Sequence, residues 1–526
     1  MHEFPTCGSI PDKKLMQAVV SAALKPWSPS RSAPWDKTRA AHLWNRAGFG
    51  GRPDEIDALL KLSPAAAIKQ FLNYEQLHET HPDWNTDITP EQFRKFTPEQ
   101  RKDAAKMQSN NIEDLKCWWL RRMVETKRPL LEKMTLFWHG HFATGAEKVN
   151  SPYLMYGQNQ TFRAHATGNF RELVLAVCKD PAMNRYLDGN ANVKRKPNEN
   201  FARELMELFT MGVGNYTEDD VKAAARAFTG WGMDGEQFHF HPSHFDDGEK
   251  TFLGHTGALD GIDVLDIVVA QPATARFICR KLFEFFSHAD PEPEIVDALA
   301  DVFRESTYEI KPVLAALFAS EAFFSARAIR TQIKSPAQLV AGTLRLWQVG
   351  AKNDRPYVNA MRQMGQDLFY PPNVKGWPGG EDWINTTTLM ERYNFANLVV
   401  NNAFVPLPAP PAPAANKAPA TPAAGQKDKP EAKVESPKPA LTAPALALPL
   451  FAGKKETPEQ LVDQLAEALL QGPLPDTQRK ELIEFAVNND AAHGGAPMID
   501  PQSPAGLKKL KSLTNLLMSS AAYQLC

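Results

Sequence analysis

The chain has 526 residues, 43% of them hydrophobic and 23% charged, with a formal net charge of −2. That is globular composition with length for a large core or several domains, and its charge balance gives no electrostatic basis for nucleic acid or an anionic membrane as main partner. Cys7, Cys117, Cys178, Cys279 and Cys526 are scattered and form no CxxC pair, which argues against a disulfide framework or a structural zinc site.

Residues 1–34 read as a variable N-terminal segment. MHEFPTCGSIPDKKLMQAVV lacks a basic region followed by an apolar one, and no window approaches the roughly 18 apolar residues of a membrane span. The default expectation is a cytoplasmic chain, with export alongside a partner as the other.

Residues 35–404 read as the main helical domain. Proline is favoured at the first helical position, where its missing N–H costs nothing, so Pro64, Pro129, Pro272 and Pro336 each predict a helix start. Thr217 with Asp220 resembles a capping box, the face Val221, Ala224, Ala225 and Phe228 follows, and Gly230 predicts the stop. Phe277, Leu282 and Phe285 form another stripe at helical spacing. Only Met233–Gly254 is turn-rich enough to hold two short strands.

Residues 405–450 hold about a dozen of the 42 prolines and no aromatic residue, which predicts an extended linker or insertion. Residues 451–526 read as three more helices completing the domain. The expected class is all-α: a large multi-helix domain with long loops and a small irregular or β excursion near 233–254.

Four stretches carry chemistry. In FWHGHFATG, His139 and His141 flank Gly140 at the end of the helix begun by Pro129. Residues two apart on a helix point about 200° apart and cannot share one ion. A left-handed stop at Gly140 would release His141 to join His139 on a metal, whereas histidines in a last turn also simply suit the helix dipole. In PNENFARELMELFTMG, Asn200, Arg203, Glu204 and Glu207 fall within about 100° of a helical wheel. Arg203 and Glu207 are spaced to pair. Such a stripe on a buried helix suits a carboxylate metal site, an internal salt-bridge network or a solvated face. In FHFHPSHFDDGEK, His239 and His241 would share one face of a strand, and His244, Asp246 and Asp247 follow in a turn; these are ligand types for a divalent transition metal, or a solvated excursion. Seven of the 13 histidines lie between His139 and His255. The fourth stretch, PPNVKGWPGGEDWINTTTLM, is a rigid aromatic loop of the kind that lines glycan or peptide grooves or packs over a core, with Thr388 or a neighbour capping the next helix. No HExxH, EF-hand, Walker or GxSxG motif is present.

Together AAHLWNRAGFG, PLLEKMTLFWHGHFATG, GNFRELVLAVCKDPAMNRYLDGNAN, PNENFARELMELFTMGVGNYTEDDVKAAARAFTGW, KTFLG and PPNVKGWPGGEDWIN resemble the bacterial domain-of-unknown-function family 1800 (DUF1800) over roughly residues 35–400, and MSSAAYQL resembles its closing helix. The resemblance implies a mostly helical domain and no assigned activity. It also implies frequent export and a neighbouring DUF1501-type protein, which looks like a sulfatase or alkaline-phosphatase relative. The N-terminal pattern leads us to expect no leader here, a departure from that habit, and Phe245 stands between His244 and Asp246 where the resemblance implies adjacent His and Asp. Two expectations follow. One is a scaffold or companion of the DUF1501-type protein. The other is a metal-dependent hydrolase or oxidoreductase acting on a small molecule or glycan, with His139, His141, His244 and Asp246 as ligands, Glu204 or Glu207 as ligand or base, and Arg203 as an anion clamp.

Overall fold

Proline opens helices throughout this chain. Besides Pro64, Pro129, Pro272 and Pro336, helices begin at Pro53, Pro98, Pro152, Pro181, Pro293, Pro458 and Pro504. Ser63, Ser151, Ser335 and Ser503, each just before such a proline, accept a hydrogen bond from the backbone N–H three residues on. That bond satisfies one of the donors a helix start leaves unpaired. The expected capping box is present: Thr217 and Asp220 cap the Glu218–Ala227 helix reciprocally, and Gly230 follows with φ +79°.

The structure is a computed structural model in which residues 23–81, 83–84, 95–350, 353–403, 455–472, 474–487, 498–501 and 503–526 are described. Most of the 1–34 segment and the whole 405–450 stretch lie outside them. The described elements are nearly all helical, so the fold is mostly α. The excursion is two antiparallel hairpins, Trp231–Asp234 with Gln237–Phe240 and Lys250–Phe252 with His255–Gly257. It therefore starts two residues earlier and ends three later than the turn composition suggests. Among the described residues no helix is long and apolar enough to cross a membrane.

Apolar side chains gather into two cores. One joins Leu43, Met134, Trp138, Phe209, Phe283 and Phe318. The other joins Trp119, Leu136, Leu344, Phe369, Leu465 and Leu513, so the helices after residue 455 are built into it. The chain's last residues add a strand-like pairing, with Cys526 N–H donating to Gln332 O at 2.9 Å and Lys334 N–H to Gln524 O at 2.8 Å.

Between the cores runs the Pro129–His141 helix, in which every residue except Gly140 is buried. A helix apolar nearly all round belongs inside a protein, but this one carries Glu132, fully buried. Its carboxylate accepts from Arg122 Nε at 2.7 Å, Arg163 Nε at 2.7 Å and Nη2 at 2.9 Å, and Trp119 Nε1 at 3.1 Å. Burial alone would raise its pKa, but the Arg163 and Arg122 guanidiniums outweigh burial and hold it at about 2. One carboxylate thus ties together the Pro98–Glu125, Pro129–His141 and Pro152–Ala164 helices.

Replacing Glu132 with Gln strands two guanidiniums in a dry interior. We expect a loss of about 3–5 kcal/mol, measured by urea unfolding. Because the folded carboxyl lies below its unfolded range, its contribution is complete above about pH 4.5 and disappears as pH falls towards 2. Wild type should therefore lose stability across that window more steeply than Glu132→Gln.

Candidate functional site

The helix begun by Pro129 runs through Gly140 and ends at His141, and Gly140 is not among the glycines with positive φ. No left-handed stop releases His141, so His139 and His141 diverge as helical geometry requires. Both are at least 96% buried, with His139 at 0% and His141 at 4% exposure. His139 Nε2 accepts the Phe369 backbone N–H at 3.2 Å, which puts the ring proton on Nδ1. Trp119, Phe369 and Trp377 surround it with ring centroids at 5.2, 5.1 and 5.4 Å. Burial pushes its pKa down to about 3. His141 makes the opposite choice: Nε2–H donates to Phe209 O at 2.9 Å, and Nδ1 accepts from Lys281 Nζ at 3.2 Å. Burial, then the Lys281 charge, holds it well below the usual histidine range.

The Phe209 carbonyl needs that donor because its helix changes pitch. Asn200–Glu204 is α-helical, and Leu205–Thr210 is a π-helix whose closing bonds run from Met211 N–H and Gly212 N–H to Met206 O, at 2.9 and 3.0 Å. Phe209 O lies in the final turn, where no intrahelical partner remains. The pitch change also overturns the Arg203–Glu207 pairing expected from regular spacing, since the wider turn displaces residues C-terminal to it. Arg203 instead clamps Glu218 at 2.7 and 2.8 Å and reaches Glu199 at 3.2 Å. Glu207 accepts the Tyr216 hydroxyl at 2.8 Å. Glu204 is half-buried. Burial and the Glu207 charge raise its pKa, against smaller opposing effects of Arg203 and Lys375.

Lys375 belongs to the Trp-Pro-Gly-Gly loop, which packs directly on the His139–His141 turn. A Cβ at Gly376, where φ is +85°, would sit 2.1 Å from Gly140 O, so only glycine permits the approach. Trp377 Nε1 is buried without a partner and its ring rests beside His139. The cap of the following helix is Asn385, with Thr388 answering it: Thr388 N–H donates to Asn385 Oδ1, and Asn385 N–H to Thr388 Oγ1, both at 2.9 Å. Three of the four chemistry-bearing stretches therefore converge, on a turn that is sealed rather than open.

The fourth stands elsewhere. Asp246 is held by Arg226 at 2.8 and 3.2 Å and by Gly248 N–H at 2.9 Å. The Arg226 hydrogen bond outweighs burial and lowers its pKa. His244 is exposed; its ring lies 5.3 Å from that of His241, which lies 4.7 Å from that of His239. The structure does not bring His139, His141, His244 and Asp246 together. Among the described residues no three His, Cys, Asp or Glu side chains gather as a metal-binding group.

Two participants were not singled out from sequence. Lys281, 140 positions from His141, has its pKa lowered to about 8 by burial. The other is Glu132, whose partners Arg122 and Arg163 lie on two other helices.

Fold and site define a two-core helical protein whose histidine-containing turn is an interior junction. Residues 42–525 match the family described as "Protein of unknown function (DUF1800)". The chain belongs to that family. No curated protein and no solved structure matches it.

Two substitutions test the junction by thermal and urea unfolding. His141→Ala leaves Phe209 O unpaired, at about 1–3 kcal/mol, and opens a cavity besides. Gly376→Ala should cost roughly 2–4 kcal/mol through collision and positive φ. Gly379→Ala, where an added Cβ meets nothing within 4 Å, should stay within about 0.5 kcal/mol of wild type.

Proposed function

We propose that the chain is a non-catalytic helical companion of a second protein, of the DUF1501 type that the family resemblance implies. One observation carries this reading. His139 and His141, the residues a metal-assisted hydrolase or oxidoreductase would use at this motif, are sealed inside, with three of their four ring nitrogens engaged by Phe369 N–H, Phe209 C=O and Lys281. Arg203 and Asp246 are likewise engaged, by Glu218 and Arg226. Residues so engaged position backbone and ion pairs; they are not poised to meet a substrate.

A second reading rests on Glu204 and Glu207. Neighbouring carboxylates in unlike environments, one raised by burial and one bonded to a tyrosine hydroxyl, are the ingredients of an acid–base pair. On that reading the chain hydrolyses a small molecule or glycan at the rim of the Trp-Pro-Gly-Gly loop.

Co-expression with the DUF1501-type protein, followed by size-exclusion chromatography with light scattering, separates the two. The companion reading expects a stoichiometric complex that Glu204→Gln and Glu207→Gln leave intact. No complex at micromolar concentrations, together with a hydrolytic activity that either variant reduces by about 100-fold or more, would favour the acid–base reading instead.

A further inference from the structure

The histidines of the FHFHPSHF stretch are used by neither reading of function. Phe238 packs edge-on against Trp231 and Phe240 against Phe245, with ring centroids at 5.2 and 5.6 Å. Those contacts fix one face of the Gln237–Phe240 strand, and alternation sends His239 and His241 to the other. His241 keeps the alternation one residue past the strand, because its backbone is extended and its N–H donates to Gly230 O at 2.7 Å. Position 232, opposite His239, is glycine. A Cβ there would sit 3.3 Å from His241 Cδ2 and 2.8 Å from Asn190 Oδ1, so the missing side chain leaves room for the imidazole. The chain then turns through Pro242–His244, held by His244 N–H on His241 O at 3.0 Å and by Lys194 N–H on His244 O at 2.7 Å.

His239, His241 and His244 thus come to lie side by side. His241 stands between the other two, its ring centroid 4.7 Å from that of His239 and 5.3 Å from that of His244. Two imidazoles that share one zinc ion, each with Zn–N of about 2.0–2.1 Å in tetrahedral geometry, have centroids roughly 5 Å apart. Both separations fall at that value. Elsewhere in the chain, His42, His139, His141 and His288 each spend a ring nitrogen on a backbone group. His239, His241 and His244 make no side-chain hydrogen bond or ion pair among the described residues. Each neutral ring therefore keeps its acceptor nitrogen for an outside partner. His239 and His244 are exposed and His241 is half-buried, so that partner can reach them.

The carboxylates that follow are already engaged, Asp246 by Arg226 and Asp247 by Lys194. The donors left are imidazole nitrogens alone, a set that suits zinc and its transition-metal neighbours and not calcium or magnesium, which take oxygen. We propose that His241, with His239 on one side and His244 on the other, binds a divalent transition-metal ion of the zinc class and so clips the second hairpin strand to the turn after it. As placed, the rings form two adjacent pairs rather than one closed set. One pair seats the ion. The third ring joins by turning between staggered side-chain positions, and water fills what remains of the coordination sphere. The site lies apart from the buried His139–His141 turn and does not depend on whether the chain is a companion or a hydrolase.

The test is calorimetric titration of zinc chloride into the untagged full chain, with calcium chloride as comparator. The expected result is saturable, near-stoichiometric zinc uptake. His241→Ala should weaken it by about tenfold or more. The double variant His239→Ala with His244→Ala leaves His241 and its backbone anchor in place and should weaken zinc by a like factor. Its two substitutions are at exposed positions, so its zinc-free thermal midpoint should stay near wild type. Added zinc should raise the midpoint of wild type by mass action and leave that of the double variant where it was. The proposal is overturned by no saturable zinc uptake in the folded chain, by uptake that His241→Ala and the double variant leave unchanged, or by calcium binding as tightly as zinc.

Discussion

The hydrogen bond from His141 to the Phe209 carbonyl is the constraint around which three of the chemistry-bearing stretches of this sequence arrange themselves. A π-helical turn ends at Thr210 and leaves Phe209 O in an apolar interior. An unpaired buried carbonyl is costly, and His141 supplies the donor. Once Nε2 carries the proton, Nδ1 must accept, and Lys281 reaches it from the Pro272–Phe286 helix. Three helices distant in sequence are locked by one neutral imidazole. His139, two residues earlier and on the other side of the same helix, does the reciprocal work: it accepts Phe369 N–H, while Phe369 O takes Ala146 N–H at 2.8 Å. The two histidines face apart, into the two cores.

That arrangement explains why the junction tolerates so little. The Pro129–His141 helix is buried throughout except at Gly140, and the loop that covers Gly140 does so through Gly376, backbone against backbone. Trp377 closes over His139 from the same loop. Glu132, one helical span earlier, satisfies two guanidiniums and an indole within the same buried helix. Glu132 and His141 each complete partners in this interior, and the dry surroundings that make each pair strong would make each orphan expensive.

Much of the fold was legible in the sequence because it rests on local chemistry. Proline at N1 marked the starts at Pro64, Pro129, Pro272 and Pro336, and the Thr217–Asp220 box marked another. The 3.6-residue pattern gave the class. What could not be read was anything decided by distant partners. Gly140 looks like a helix terminator, but the last turn carries on to His141 because Phe209, 68 positions away, needs a donor. The Asn200–Glu207 stripe looks regular because a sequence does not announce a π-turn, and so its spacing points Arg203 to Glu207, whereas the folded chain pairs it with Glu218. The clustering of histidines was visible. Their engagement with backbone groups of other elements was not.

The central claim is that His139 and His141 are neutral structural residues with opposite tautomers. The most direct measurement is ¹⁵N-detected histidine NMR on the full chain, across about pH 5 to 8 and with zinc added at equimolar concentration. The account predicts His139 protonated on Nδ1 and His141 on Nε2, neither titrating in that range and neither shifting with zinc. A histidine of this pair that titrates near its ordinary value, or whose ring nitrogens move when zinc is added, would contradict it.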